Sequence, residues 1–305
     1  MSGSQPPGRG LYVSLLGIDG IGKSSLAQRL TRDLRERGLK VLPLSWRDCL
    51  DAQLPGWPQQ ALRTMWMDTY RLMFGSTIDQ GQHIALPERY ADWVEERAEE
   101  RLSELAATPS SATTGPLAAA MVEFAGNLVL YSEVIRPALE RGEIVVQETF
   151  PYKHVLKEYL LAVYAANRTG TGAYHPQEID PLFTPMEEFF GGPLNPDVGV
   201  FVDGPPELAL EWRLKQSGQV GVMEDLRIAG EPGFDGFVRL QSECARRFLE
   251  FARKYGWQRH EVRDAPAESN VRRGLDILLA EISRLRPHWQ LGRCAGVAAE
   301  PAEPE

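Results

Sequence analysis

Apolar residues form five short runs along the chain, and longer segments with mixed apolar and polar residues separate them. The runs are residues 11–16, 40–44, 144–147, 198–202 and 258–262. Runs of this length fit strands, and an apolar run without alternation is typical of a strand that is buried on both faces. We therefore predict five buried strands.

Helical spacing appears between these runs. Leu26, Leu30 and Leu34 recur every four residues within 24–38, a segment that ends at a glycine, as helices often do. The same reasoning predicts helices at 116–141, 206–216, 234–255 and 268–286. Strands that alternate with helices predict an α/β fold, with a parallel sheet covered by helices.

Two segments interrupt this alternation. Residues 50–115 contain two predicted helices, 59–74 and 87–106, and residues 167–196 are rich in Gly, Pro and aromatic residues. We predict one domain, 11–287, that carries 50–115 as a helical insertion and 167–196 as a loop insertion. Residues 1–10 and 288–305 are predicted to be flexible ends. Insertions of this kind often form binding walls, although they can also be plain connectors.

Composition and charge narrow the function classes. The net charge of −9 argues against binding a nucleic-acid polymer, which favours a basic surface. Three widely spaced cysteines suggest neither a disulfide framework nor a zinc site. The apolar stretch 117–131 contains Glu123 and Asn127, so we expect a buried helix rather than a membrane span. We therefore expect no membrane partner. With no signal-peptide pattern at the N-terminus, we expect a cytoplasmic location.

Residues 17–24 read G-I-D-G-I-G-K-S and match the phosphate-binding loop pattern G-x-x-x-x-G-K-[ST] completely. The loop follows a predicted strand and opens a predicted helix, which is the context the motif requires. Glycines let backbone N–H groups converge on a phosphate, and the start of the helix adds a partial positive charge. Lys23 would contact the β- and γ-phosphates of ATP, and the Ser24 hydroxyl would ligate Mg²⁺. The predicted ATP-binding residues are Gly17, Asp19, Gly20, Ile21, Gly22, Lys23, Ser24 and Ser25.

The sequence resembles thymidylate kinases and related P-loop nucleotide kinases. The loop at 17–25 is similar to the family's phosphate cradle, and residues 133–142 with 144–150 resemble its helix–strand segment. Residues 196–207 resemble its fourth strand, and 264–265 its adenine-side loop. The resemblance implies a three-layer P-loop NTPase fold with strand order 2-3-1-4-5, a kinase that uses ATP and Mg²⁺, and a homodimer.

This sequence departs from the family at the acceptor side. The family's Asp-Arg-aromatic motif is Glu148-Thr149-Phe150 here, and Asn127 stands near a second substrate-binding arginine of the family. A hydroxyl does not replace a planar cation that binds phosphate. The departures therefore favour an acceptor other than dTMP. Glu148 keeps an acid at the strand end, where it would hold Mg²⁺ or orient the acceptor.

Further candidates follow from position. Asp19 lies inside the cradle, and we predict that it contacts the acceptor hydroxyl; the alternative is a solvated loop residue. Six residues are predicted to line the acceptor site, each with a structural alternative such as an ion pair or core packing: Arg47, Asp48, Glu123, Asn127, Phe150 and Tyr152. Arg213, Lys215 and Arg227 fall where the family has a mobile lid, so Arg213 is a catalytic candidate; a solvated run of charge is the alternative.

We therefore predict an ATP-dependent kinase that phosphorylates a nucleoside or nucleotide-like acceptor, and not a standard dTMP kinase. Two alternatives stay open. One is a kinase of a different small metabolite, and the other is a nucleotide-binding switch protein without turnover. The intact Lys23 and Ser24 favour an active enzyme, since both would act directly on the triphosphate and its metal.

Overall fold

Five strands form one parallel sheet in the computed structural model, which describes residues 9–51, 57–75, 77–79, 82–104, 114–169 and 176–289. The strands are β1 (Leu11–Leu16), β2 (Val41–Leu44), β3 (Ile144–Gln147), β4 (Val198–Asp203) and β5 (Gln258–Glu261). Their spatial order is β2-β3-β1-β4-β5. The predicted P-loop fold and its 2-3-1-4-5 order are therefore confirmed, and each strand lies within two residues of its predicted bounds.

The central strand β1 is buried along its whole length because it has a neighbour on each side and helices on both faces. Leu11 pairs with Ile144 of β3, and Val13 pairs with Val198 of β4. The strands run parallel, so their carboxyl ends lie at the same edge of the sheet, where ligands bind in folds of this kind. The loop after β1 and Glu148 after β3 are thereby brought together.

Twelve α-helices belong to the described residues. They are α1 (Lys23–Glu36), α2 (Trp46–Asp51), α3 (Trp57–Phe74), α4 (Tyr90–Glu95), α5 (Ala98–Glu104), α6 (Thr114–Leu130), α7 (Arg136–Glu140), α8 (Tyr152–Thr169), α9 (Pro176–Gly191), α10 (Pro206–Ser217), α11 (Phe234–Tyr255) and α12 (Ala267–Leu285). Helix α1 packs on α12, whereas α3, α6 and α8 pack side by side. A short antiparallel pair, Ile78–Asp79 with Gln82–His83, follows α3.

The structure differs from the sequence prediction in several helices. Helices α2, α8 and α9 were not predicted, and α9 occupies most of the segment 167–196 that was expected to be a loop. Pro181 and Pro185 lie inside this helix. Because proline usually ends a helix, the sequence pattern did not predict one here. The helix predicted at 87–106 is two helices, separated at Arg97 by a backbone φ of 52°.

The long predicted helix 116–141 contains a turn of π-helix, Tyr131–Ile135, between α6 and α7. The turn lies just before Pro137, which has no amide proton to donate to the preceding turn. The helical segment Thr114–Glu140 is long enough and apolar enough to cross a membrane, with a mean hydropathy of 1.3. The core helix of a soluble protein can have the same length and composition. The segment's polar residues Glu123 and Asn127 are buried and hydrogen-bonded within the fold, as expected for a core helix.

Candidate active site

A backbone turn between β1 and α1 forms the phosphate cradle. Gly20 and Gly22 have φ angles of 79° and 95°, in the left-handed region that glycine adopts without strain. A Cβ on Gly20 would lie 2.5 Å from the Ala209 carbonyl of α10, so that helix packs closely on the loop. Helix α1 begins at Lys23, and its unpaired N–H groups therefore face the loop as an anion site.

A cleft of about 420 Å³ opens above the cradle. Seven of the eight predicted ATP-binding residues line it: Asp19, Gly20, Ile21, Gly22, Lys23, Ser24 and Ser25. The eighth, Gly17, lies underneath, where an added Cβ would be 2.5 Å from the Val202 carbonyl. Trp212 of α10 lines one wall, and Asn270 and Val271 of α12 line another, close to the expected adenine-side loop 264–265.

Ser24 and Glu148 both line this cleft, and their side chains are directly hydrogen-bonded. The Ser24 hydroxyl donates to Glu148 Oε1, so two oxygen ligands converge from the first turn of α1 and the end of β3. Hard oxygen ligands suit Mg²⁺, which usually takes one or two protein oxygens and completes its shell with phosphate and water. Among the described residues, no group of three or more Asp, Glu, His or Cys side chains is placed to hold a metal ion. The pair therefore fits a metal that is shared with a phosphate ligand.

Lys23 is buried in the cradle, with 5% of its surface exposed. Its Nζ donates to the Ile18 carbonyl at 2.6 Å, which points the ammonium group along the loop. Burial lowers the pKa of Lys23 well below its ordinary value, and the nearby charge of Lys153 lowers it further. An anionic ligand at this position would stabilise the charged form of Lys23.

Asp19 belongs to a buried charge cluster at the rim of the cradle. Its carboxylate accepts from Lys153 through Oδ1, from Lys157 at 3.0 Å and from Gln241 Nε2 at 3.1 Å through Oδ2. Burial would raise the pKa of Asp19, but the two ammonium charges hold it well below its usual range. Three protein donors already bind this carboxylate, which favours a structural role for Asp19. Its contact with an acceptor hydroxyl stays a prediction.

Lys153 and Lys157 are site residues that the sequence analysis missed. Both are 4% exposed and lie one turn apart on α8, so they reach the same carboxylate. Lys153 lines the cleft, whereas Lys157 also donates to the Met223 carbonyl at 2.8 Å. The signal was present as two lysines four positions apart just after Glu148, in a segment whose apolar spacing is helical.

The three predicted lid cations lie in three different environments. Arg213 lines the cleft but is held by Glu224, to whose Oε2 its Nε donates at 2.8 Å. Lys215 is exposed and pairs with Glu211 on the same helix. Arg227 is buried against Asp225 and donates to the Ser103 carbonyl of α5 at 2.7 Å. Arg227 thus fastens the segment after α10 to the helical insertion instead of acting as a mobile cation.

Four of the predicted acceptor-site residues lie away from the cleft. Arg47 pairs with Glu99 of α5 at 2.8 Å, and Asp48 accepts from the Ser45 amide at 3.1 Å, before the first turn of α2. Phe150 and Tyr152 are fully buried in an aromatic core with Phe251, whose ring stacks on Tyr152 at 4.2 Å. Core packing therefore replaces the predicted substrate role for Phe150 and Tyr152. The substrate roles of Arg47 and Asp48 stay predictions, and the Arg47 guanidinium lies 5.5 Å from the ring centroid of Trp66.

A second, smaller pocket of about 100 Å³ lies on the other side of the Asp19 cluster. Its lining comes from α2, α3, α6, α8 and the segment after α10: Trp46, Trp66, Thr69, Tyr70, Glu123, His154, Lys157, Glu158 and Met223. Glu123, a predicted acceptor-site residue, lines this pocket. Asn127 supports it from behind, where its Oδ1 accepts from Trp46 Nε1 at 3.2 Å.

The fold, the cradle and the Ser24–Glu148 pair define a P-loop kinase. No family model matches the chain. It is 26% identical over 277 residues to a thymidylate kinase of Pseudomonas syringae pv. syringae, which covers 91% of this chain and 98% of that protein. Similar values hold for a thymidylate kinase of Pseudomonas syringae pv. tomato, at 26% over 282 residues with 91% and 98% covered. A thymidylate kinase of Pseudomonas putida is 25% identical, with 90% and 96% covered. The chain is a thymidylate kinase-like P-loop kinase.

Proposed function

We propose that this enzyme transfers the γ-phosphoryl group of ATP, with Mg²⁺, to a nucleoside or nucleotide-like acceptor, and that it is not a standard dTMP kinase. One arrangement supports this proposal most strongly. The phosphate cradle and the aromatic-walled second pocket lie on either side of the buried Asp19–Lys153–Lys157 cluster. Two ligands bound in these pockets would meet at two lysine side chains.

In the proposed mechanism the cradle backbone and Lys23 hold the triphosphate. Ser24 and Glu148 would hold Mg²⁺, which supplies positive charge to the transferring phosphoryl group when it is bound. An acceptor oxygen bonds to the γ-phosphorus while the bond to the β–γ bridging oxygen breaks, and ADP leaves with that electron pair. Where the acceptor is a hydroxyl group, its proton passes to water. The protein contributes position and charge, as is usual for phosphoryl transfer.

Lys153 is the residue that we expect to stabilise the transferring charge. Two ammonium groups share the single carboxylate of Asp19, so the cluster keeps an excess of positive charge at the boundary between the pockets. Arg213 is less available, because Glu224 already binds its guanidinium group at 2.8 Å. The similarity to thymidylate kinases supports a nucleotide kinase. We assign the charge-stabilising role to Lys153 from its position in this chain.

Two departures from the family pattern, Thr149 and Asn127, support an acceptor other than dTMP. Thr149 lines the cleft with a hydroxyl where the resemblance implies an arginine. Asn127 has its amide engaged with Trp46 and with the Glu123 carbonyl, at 3.2 and 2.8 Å, so it supports a pocket wall. No arginine lines the second pocket among its described residues. A site with so few free cations is poorly suited to the phosphate of a nucleoside monophosphate.

An acceptor screen tests this function. The purified enzyme with Mg²⁺ and ATP is offered nucleosides, nucleoside monophosphates including dTMP, and unrelated metabolites, and product mass is measured with ADP release. We expect a phosphorylated nucleoside or nucleotide product, with dTMP a poorer acceptor than the best compound. Efficient turnover of dTMP above all others would refute the proposed departure. ATP binding without any phosphorylated nucleoside or nucleotide product would refute the acceptor class.

A further inference from the structure

Gln241 of α11 is a fully buried residue whose side-chain amide binds the phosphate loop. Its Oε1 accepts from the backbone N–H of Asp19 at 3.1 Å. Its Nε2 donates to Asp19 Oδ2 at 3.1 Å and to the Glu224 carbonyl at 3.0 Å. One side chain therefore joins the loop after β1 to the segment after α10, two regions that lie far apart in the sequence.

These three contacts require a side chain that has both an acceptor and a donor at its tip. The Asp19 N–H donates, whereas Asp19 Oδ2 and the Glu224 carbonyl accept. Rotating the amide by half a turn would set Nε2 against the N–H donor and Oε1 against two acceptors, so the partners fix its orientation. An ionised glutamate would lack the donor, and a methionine of similar length would offer no N–H group and only a weakly accepting sulfur.

The amide also fixes how Asp19 holds its two lysines. Oδ2 of Asp19 accepts from both Gln241 and Lys157, which leaves Oδ1 to accept from Lys153. Because both oxygens are engaged, the carboxylate has one orientation, and Lys153 is held where it lines the cleft. The amide is uncharged, so it binds the carboxylate without cancelling the excess positive charge of the Asp19–Lys153–Lys157 cluster.

We propose that Gln241 is a positioning residue for phosphoryl transfer, which acts through Asp19 to hold Lys153 toward the transferring group. This inference rests on the proposed function, because it takes Lys153 as the residue that stabilises the transferring charge. Gln241 is absent from the described lining of both pockets. It therefore influences the chemical step without contacting ATP or the acceptor.

Gln241→Met and Gln241→Glu test this role, because the first removes the amide and the second adds a carboxylate beside Asp19. Phe248→Leu is the matched control. Phe248 is buried on the same helix and packs against Tyr152, so its truncation should lower stability without removing a contact to Asp19. The single-turnover rate is measured with Mg²⁺, ATP and the best acceptor of the screen, and calorimetry gives the Kd of a non-hydrolysable ATP analogue. Melting temperature and the Lys153 Nζ signal, from NMR of enzyme with ¹⁵N-labelled lysine, complete the comparison.

We expect both Gln241 variants to lower the transfer rate about 10-fold or more, while the Kd of the ATP analogue changes less than about threefold. The reason is that a displaced Lys153 affects the transition state more than the bound triphosphate. The Lys153 signal should shift in both variants. Phe248→Leu should lower the melting temperature and leave the rate and the Lys153 signal close to those of the wild type.

A wild-type rate in Gln241→Met would overturn the inference, as would a rate that falls only in proportion to melting temperature, as it then would in Phe248→Leu. Equal losses of rate and of ATP-analogue binding would also overturn it, since the amide would then support the cradle instead of Lys153. If the wild type phosphorylates no acceptor, the proposed function fails separately. The Lys153 signal still tests the positioning in that case, and an unchanged signal in both Gln241 variants would refute it.

Discussion

The two pockets bind by different physical means, although the Asp19–Lys153–Lys157 cluster contributes residues to both. The cleft over the cradle is built from backbone N–H groups, a helix N-terminus and the lysines Lys23 and Lys153. The second pocket is built from side chains, with aromatic faces and the buried acids Glu123 and Glu158. A cradle of backbone groups binds any triphosphate, whereas a pocket of side chains selects its ligand. Substitutions in one pocket should therefore leave the ligand of the other pocket bound.

The largest effect is expected from Lys23→Ala. The substitution removes the ammonium group that we assign to the β- and γ-phosphates, so turnover should fall about 10³-fold with the fold retained. Steady-state kinetics and circular dichroism provide the measurement. Lys215→Ala is the matched control, since that lysine is exposed and forms its ion pair with Glu211 on the same helix. Unchanged turnover in Lys23→Ala would remove the cradle from the mechanism.

Lys153→Met tests the Asp19–Lys153–Lys157 cluster, through the lysine that lines the cleft. Its loss should lower kcat about 10²-fold while the Kd for ATP changes little, because the charge is proposed to act on the transferring group. Lys153→Arg should recover part of kcat, since it restores the charge near Asp19. If the two variants lower kcat equally and in proportion to their loss of thermal stability, Lys153 has only a structural role.

A pair of glycines contrasts the two pockets directly. In Gly20→Ala the new Cβ would lie 2.5 Å from the Ala209 carbonyl at a φ of 79°, and in Gly126→Ala it would lie 2.6 Å from Cη2 of Trp46. Strain or overpacking of this kind costs about 1–3 kcal/mol. We expect Gly20→Ala to weaken ATP binding about 10-fold or more, and Gly126→Ala to weaken acceptor binding by a similar factor with ATP binding intact. Loss of both ligands in Gly126→Ala would show that the pockets are not separable.

The smallest expected effect is on stability. The folded state raises the pKa of Glu158, so the contribution of this group is complete below its unfolded pKa and is lost as pH rises through the folded pKa. Glu158→Gln cannot ionise and avoids that loss. The melting temperature of the variant minus that of the wild type should grow between pH 5 and pH 9, by about 2 °C or more. A difference that is constant with pH would mean that Glu158 pairs with a cation when it ionises.

The contrast between the pockets also explains what the sequence could predict. The cradle comes from residues 17–25, adjacent in the chain, and Glu148 ends an apolar run that marks a strand, so both were found from local pattern. The second pocket combines Trp46, Trp66, Glu123 and Glu158, which are far apart in the chain. Their proximity depends on how α3, α6 and α8 pack, and no single motif encodes it. Only Glu123 of this lining was anticipated.

Two predicted ligand-binding cations, Arg47 and Arg227, are engaged by protein partners in the structure. Arg47 and Arg227 were chosen as cations near a ligand, but their partners Glu99, Ser103 and Asp225 neutralise or occupy them. Glu99, the partner of Arg47, and Ser103, one partner of Arg227, both lie in the helical insertion. How that insertion packs on the rest of the domain cannot be inferred from the spacing of residues along the chain. A charged residue in sequence shows its sign, whereas its availability depends on neighbours that only the fold supplies. The predicted homodimer and cytoplasmic location stay predictions.

A single-turnover experiment with γ-labelled ATP tests the central claim most directly. Excess enzyme is mixed with labelled ATP, Mg²⁺ and the best acceptor from the screen, and the label is followed in the acceptor and in inorganic phosphate. We predict that the label passes to the acceptor, that Lys23→Ala abolishes this transfer, and that Gly126→Ala slows it without accelerating release of inorganic phosphate. Label that appears only in inorganic phosphate, at a rate independent of every acceptor and of Gly126, would contradict transfer between the two pockets.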